Sequence, residues 1–339
     1  MGKIVIDILG GDNAPYAMLD GVAIAAKKDK DLNFVLIGDD SIVAPFVAQQ
    51  NLSNRVEIVH SKDSISNEEA PTAVKSRPES SIALGMECLR RREDCVAFVS
   101  AGSTGAILAG GVLKLGRVPG LSRPGIAPLF PTKIPGQKVL VIDVGANVDC
   151  RPEHLLHFAI AGSEYMKTRG IMNPRVALVN VGVEEKKGNE LTSATHEMLR
   201  KSDLNFLGNM EAREAFSGDY DVLVCDGFVG NVLLKTAEGA MKLVMTHVKR
   251  KLSRGFFTKL GAFMVRGKLQ TLRKELGEEE VGGSIFLGLK KPVVKAHGNS
   301  RAHSFASAIL LASKSGEGEL GENIRLALER NSLQNEKSV

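Results

Sequence analysis

The sequence predicts an α/β protein built on a doubly wound, mainly parallel sheet. Three observations carry this expectation. Short apolar, β-branched runs recur along the chain, each of the length and composition of a strand buried on both faces. Most are followed by a loop rich in Gly, Asn, Asp, Ser or Thr, and then by a stretch with helical apolar spacing. Strand, loop and helix repeated in that order require right-handed crossovers between parallel strands.

The elements follow in order. Lys3–Asp7 is a strand and Gly10–Pro15 (GGDNAP) its loop, in which Asp12 or Asn13 caps a helix running to about Lys28. Phe34–Gly38 and Arg55–Val59 are further strands, and a polar loop with Lys75 and Arg77 leads to a helix over 81–92. The arginines of that helix sit at its C-terminal, electrostatically favoured end. Val96–Ser100 is a strand, followed by the loop at Gly102, Ser103 and Thr104 and a helix over 106–115. Pro119, Pro124, Pro128, Pro131 and Pro135 then impose turns and strand fragments.

The central unit is Lys138–Leu156. An apolar strand ends at Asp143, a loop carries Gly145, Asn147 and Asp149, and Pro152 occupies the first helical position, where its missing N–H costs nothing. Asp149 is expected to cap that helix. Arg175–Asn180 is a strand whose loop holds Glu184, Glu185, Lys186, Lys187 and Asn189, before a helix to about Lys201. Tyr220–Cys225 leads into Asp226, Asn231 and a helix, and Pro292–Ala296 into His297 and a closing helix. Residues 1–315 are expected to form one α/β domain, with 246–280 a basic amphipathic helical extension. Residues 316–339 are expected to supply a closing helix and a polar tail, frayed from Asn331 onward.

The 339-residue chain is long enough to bury a large core, and its net charge of +5 is mild. No apolar run reaches the roughly 18 residues of a membrane span. The opening strand lacks the layout of a signal peptide. The four cysteines (88, 95, 150 and 225) show neither CxxC spacing nor clustering with histidine. They read as reduced thiols of a cytoplasmic protein, not as a zinc site or disulfide frame. Cys150 stands close to a helix start, which could lower its thiol pKa, but no base is paired with it. GxGxxG after the first strand, GxxxxGK[ST], HExxH and GxSxG are all missing. A nicotinamide dehydrogenase, a P-loop kinase and a serine hydrolase each lose their best support.

What remains is a set of five polar, glycine-containing loops expected in register on one sheet edge, where α/β proteins bind ligands. Glycine lets backbone amides approach an anion, and neighbouring side chains can hydrogen-bond it. Lys187 is either a phosphate clamp or a solvated lysine beside Lys186. His297 is either a proton donor or a capping residue.

These loops resemble those of the bacterial phosphate acyltransferases of phospholipid synthesis. The resemblance rests on GGDNAP at 10–15, SAGSTGA at 100–106, DVGANVD at 143–149 with PEH at 152–154, KGNEL at 187–191, DGFVGNVLLK at 226–235, VGG at 281–283 and AHG at 296–298. Ser103, Val281 and Asn299 depart from the pattern, replacing Asn, Tyr and Ser. The resemblance implies a Rossmann-like three-layer fold akin to isopropylmalate dehydrogenases and phosphotransacetylases. It also implies a homodimer, no cofactor, no metal, and a cytoplasmic protein associated peripherally with the inner face of the membrane. Acyl-acyl carrier protein and orthophosphate would be the substrates, a membrane glycerol-phosphate acyltransferase a downstream partner, and nucleic acid none.

On that reading a phosphate oxygen attacks the acyl thioester directly and the carrier's thiolate leaves. Lys187, with amides at Gly102, Ser103, Thr104 and Asn147, would hold phosphate. Asn13, Asn189 and Asn231 would be neutral donors, Asp12 and Asp226 would line the substrate site, and His297 or Lys235 would protonate the thiolate. From Lys249 to Glu275 the chain is strongly basic, with a single acid at its end, and Phe256, Phe257, Leu260, Phe263 and Met264 share one helical face beside Lys259 and Arg266. This face would either meet the acidic carrier and the membrane or pack in a dimer interface or a core helix pair.

Overall fold

The computed structural model describes residues 2–252, 258, 261, 264–268, 283–316 and 318–337. Among these residues twelve strands and ten helices follow in chain order: β1 (Lys3–Asp7), α1 (Tyr16–Lys28), β2 (Asn33–Gly38), α2 (Asp40–Gln49), β3 (Val56–His60), α3 (Ala73–Ser76), α4 (Ser81–Arg91), β4 (Cys95–Ser100), α5 (Thr104–Gly110), β5 (Gly125–Ala127), β6 (Leu129–Pro131), β7 (Lys138–Ile142), α6 (Pro152–Thr168), β8 (Val176–Asn180), α7 (Glu190–Arg200), β9 (Phe206–Glu211), β10 (Val222–Val224), α8 (Gly227–Leu252), β11 (Ser284–Leu287), β12 (Val293–Lys295), α9 (Ala302–Gly316) and α10 (Leu320–Lys337). Short 3₁₀ and π turns join some of them.

The α/β class and the parallel character are as the sequence predicts, but the strands divide between two sheets. One has the order β3-β2-β1-β4-β12-β11-β5, the other β6-β7-β10-β8-β9. Among the described residues only β11, against both its neighbours, and β6, against β7, are antiparallel. The loops after β1, β4 and β12 therefore share one sheet's carboxyl edge, and those after β7, β10 and β8 share the other's. The expected single edge is corrected to two facing mouths. Order along the chain could not reveal this, because β5 and the antiparallel β11 fill the first sheet's far side.

Core strands are almost wholly apolar, as parallel strands covered on both faces must be. Helix α6 lies in the centre, with His154–Leu156 and Phe158–Met166 all buried. Gly162 lets it approach the second sheet, since a Cβ there would stand 2.8 Å from Val222. Phe158 reaches the first sheet at Gly125. Pro152 opens this helix as expected, but Arg151 is its N-cap, and exposed Asp149 offers only its carbonyl, to Arg123 at 2.9 Å. Asp149 as the cap is thus corrected. So is the N-cap of α1, which is Pro15 with no side-chain cap.

Where polar composition predicts a frayed tail, α10 continues to Lys337, and Asn331 is buried against Asp203 at 2.7 Å. Among the described residues no helix is long and apolar enough to cross a membrane.

Candidate active site

Two buried aspartates shape the mouths. Asp7, the last residue of β1, accepts the backbone N–H of Leu9 (3.0 Å) and Gly10 (3.1 Å) and the hydroxyl of Ser100 (2.7 Å). Ser100 in turn accepts the N–H of Gly102 at 2.9 Å. The first and second loops are thereby braced from beneath. Burial pushes the Asp7 carboxyl above the usual carboxylate range, against the pull of those donors. Asp143 does the same after β7, accepting Ile126 N (2.9 Å), Gly145 N (3.3 Å), Ala146 N (3.1 Å), Asn147 N (2.6 Å) and Asn147 Nδ2 (3.0 Å). Its carboxyl too is pushed up by burial, with the backbone donors opposing.

In this geometry several of the expected anion donors are engaged within the protein. The amides of Gly145, Ala146 and Asn147 turn inward to Asp143. Both N–H groups of the Asn147 carboxamide are spent, on Asp143 and on Pro124 O at 2.8 Å. The Gly102 amide is spent on Ser100. Asn13 Nδ2 donates to Asn299 O (3.1 Å) and Ser300 O (3.3 Å), stitching the first loop to the one after β12. A group whose donors are satisfied by protein gains nothing by turning to a ligand.

Other predicted residues have identifiable local duties. Ser103 caps α5, accepting the N–H of Ala106 at 3.5 Å, and Thr104 is that helix's first residue. Asp226 accepts Val229 N at 2.8 Å at the start of α8. Asn189 is the N-cap of α7 in a reciprocal capping box, its Oδ1 accepting Thr192 N at 2.9 Å. Lys187 is exposed; its backbone bonds Glu184 O (3.1 Å) and Asn180 Nδ2 (2.9 Å), holding its own loop. Asn231 is exposed and its side chain stands over Gly145. The loops after β7 and β10 are in contact here, since a Cβ on Gly227 would meet Asn147 O at 2.6 Å.

The first sheet's mouth is the more tightly built. A Cβ on Gly10 would stand 2.7 Å from Gly102 N, and one on Gly11 3.0 Å from Gly298 O and 2.9 Å from the Ala101 side chain. Gly11 also adopts φ +101, outside ordinary L-residue territory. Asp12 N donates to Gly298 O at 2.8 Å, so the loops after β1, β4 and β12 meet at one point.

Charge gathers above that junction. Helix α8 leaves the second sheet's mouth and crosses towards the first. On it Lys235 Nζ pairs with Glu238 at 2.9 Å, and Glu238 lies 4.0 Å from His297 Nε2. Lys235 lies near enough to the first mouth for its charge to act on the residue beneath. Beneath sits a residue the sequence reading missed, Lys295, the last residue of β12 and only 9% exposed. Its ammonium donates to Ala101 O at 3.3 Å and, in a short contact, to Ala296 O. Burial pulls its pKa down to about 8, with Asp12 and Asp7 opposing. Within the apolar run Pro292–Ala296 no sequence signal sets it apart; only burial marks it.

The thiols take no visible part. Burial first, then the Asp143 charge, pushes Cys150 up to about 11, which corrects the lowering expected from the nearby helix start. Cys225 is fully buried and raised further still, chiefly by the same burial. Phe256, Phe257, Lys259, Leu260 and Phe263 lie outside the described residues; Met264 and Arg266 are exposed.

The architecture defines the class. It is shared with a phosphotransacetylase from Streptococcus pyogenes (TM-score 0.59, 16% identity, covering 94% of this chain and 95% of that one). A branched-chain phosphotransacylase from Enterococcus faecalis V583 is similar to the same degree (TM-score 0.55, 15% identity, 92% and 99% covered). At such identities only the fold is shared. Sequence carries the assignment further. The family described as "Fatty acid synthesis protein" matches residues 2–321, and the chain belongs to it. A protein named phosphate acyltransferase from Thermoanaerobacter pseudethanolicus is 42% identical over 99% of this chain and 100% of its own length. Another of that name from a Geobacillus species is 41% identical, covering 97% and 99%. The protein is an acyltransferase of lipid synthesis.

Proposed function

We propose that the protein makes acyl phosphate from acyl-acyl carrier protein and orthophosphate by direct transfer. A phosphate oxygen attacks the thioester carbonyl and the C–O bond forms. The tetrahedral oxyanion then collapses, the C–S bond breaks, and the thiolate leaves to take a proton. Orthophosphate is already an oxyanion at neutral pH, so the site needs no activated side-chain nucleophile. Its work is positioning, worth up to about 7–11 kcal/mol in favourable cases, and stabilisation of the oxyanion.

The observation that carries this reading is the group of Lys235, Glu238 and His297 above the meeting point of three loops, with Lys295 beneath it, in a chain of this family. Lys187 and Asn231 reach the same substrates from the second mouth, with Lys187 as a mobile phosphate clamp and His297 as the donor to the thiolate. Asp12, Thr104 and Asp226 line the site, and Asn189 uses its remaining amide donors there. The exposed rim residues Val148, Val181, Val183, Phe228 and Val232 suit an acyl-pantetheine arm.

The product supplies glycerol-phosphate acylation at the membrane. Two chains act as a homodimer in the cytoplasm, and the basic segment around Met264 and Arg266 steers the acidic carrier and touches anionic lipid. Charging Phe256 and Phe263 to Glu should abolish co-sedimentation with anionic vesicles; unchanged binding would remove the membrane contact. The reaction itself is tested by free-thiol release from acyl-acyl carrier protein. Release should require orthophosphate, whereas carrier binding without release would leave only a carrier-binding protein.

A further inference from the structure

The buried ammonium of Lys295 is under-compensated. Its two protein partners, Ala101 O and Ala296 O, are neutral carbonyls. Among the described residues no carboxylate oxygen lies within 4.0 Å of it. The acids whose charge it feels are Asp12 and Asp7, and the Asp7 carboxylate is already engaged by Leu9, Gly10 and Ser100. A lysine ammonium has three N–H donors, and two are accounted for. A buried charge in this condition is costly unless something pairs with it.

Its position says what that partner is. Ala101 directly precedes Gly102 and Ala296 directly precedes His297, so the ammonium sits where the loops after β4 and β12 begin. The Ser300 hydroxyl of the same β12 loop is also buried, with no hydrogen-bond partner among the described residues. Two unspent polar groups thus lie under the junction where the β1, β4 and β12 loops touch.

We propose that Lys295 is a phosphate-binding residue, its third N–H completing the charge of an orthophosphate seated where the loops after β1, β4 and β12 meet. This rests on the phosphate acyl-transfer reading and assigns that site its buried cation. Exposed Lys187 and Lys235 bring charge through water; Lys295 holds its charge in low dielectric, where each ion–ion contact counts for more. Bound phosphate also favours the protonated amine, so binding at pH 8 draws a proton to Lys295. The groups around it are Asp7 and Asp12 from β1 and its loop, Lys235 from α8 and His297 two residues on.

The test titrates orthophosphate into the full-length protein by calorimetry at pH 8, in two buffers of different ionisation heat. Orthophosphate is then almost wholly dianionic and contributes little proton exchange of its own. Wild type should take up a fraction of a proton, to about one half for an amine of pKa about 8. Lys295→Met should bind phosphate roughly 10- to 100-fold more weakly, the scale of a charge-assisted hydrogen bond, and show no uptake. Its KM for phosphate should rise while its KM for acyl-acyl carrier protein stays within about twofold. Three results would overturn the assignment: no net uptake in wild type, undiminished phosphate affinity in Lys295→Met, or uptake that survives in that variant but vanishes in His297→Gln. Phosphate-dependent thiol release by wild type in the same buffers tests the underlying reaction separately. Release with any of those three results condemns Lys295 alone.

Discussion

Replacing Asp143 by Ala should damage stability and catalysis together, because one carboxylate organises the whole loop after β7. Five N–H groups converge on it. In Asp143→Ala the amides of Gly145 and Ala146 are half-exposed and can turn to water, and Asn147 Nδ2 keeps Pro124 O. The buried N–H groups of Ile126 and Asn147 have no such recourse. At about 1–3 kcal/mol for each stranded donor, the loss is roughly 2–6 kcal/mol. Relief from burying a carboxylate pulls the value towards the lower end. A native protein has only about 5–15 kcal/mol in hand, so the change is large. Urea unfolding followed by circular dichroism measures it, with Asp149→Ala as a surface control near zero. A loss below about 1 kcal/mol in Asp143→Ala would refute the reasoning.

Three further outcomes follow from the same structure. Asn189→Ala should cost about 1 kcal/mol as a lost N-cap, read by unfolding, while a fall in kcat at saturating substrates beyond what that cost explains would reveal a second, chemical role. Gly10→Ala should cripple phosphate-dependent turnover, because its Cβ would stand 2.5 Å from Asp7 Oδ2 and 2.7 Å from Gly102 N; normal turnover would show that the junction can relax. Lys295, with its folded pKa lowered to about 8 from 10.5, binds fewer protons folded than unfolded between those values. Its contribution to stability is therefore present above about 10.5 and lost as pH falls through about 8. The stability of wild type minus Lys295→Met, from denaturation at pH 7.5, 9 and 10, should rise with pH by up to about 3 kcal/mol across that window; parallel curves would contradict the depressed pKa.

What the sequence made legible was whatever a local signal dictates. Val and Ile runs located β1, β4, β7 and β8 to within a residue or two, and Pro152 opened its helix as its fixed φ requires. Helix α2 escaped notice because Pro45 interrupts its pattern, and β9 because Gly208 and Asn209 dilute its apolar alternation. The split into two sheets is a non-local fact, set by how β5 and β11 pair. The site divided along the same line. Loops were recognisable from glycine and polar side chains, but not which of those groups face a ligand and which brace the backbone. Asn13 and Asn147 look like ligand donors in sequence and prove to be struts, because their partners lie on distant segments. Lys295 is set apart by no sequence signal and is buried, because β12 lies inside the sheet. Its strand's place between β4 and β11 decides its chemistry.

The central claim is that phosphate itself is the nucleophile and no acyl-enzyme forms. Intact-mass measurement of the protein incubated with acyl-acyl carrier protein, first without and then with orthophosphate, tests it most directly. The account predicts an unmodified protein mass throughout, with acyl phosphate and free carrier thiol appearing only after phosphate is added. A protein mass increased by one acyl group before phosphate, and returned to its starting value by phosphate, would contradict it.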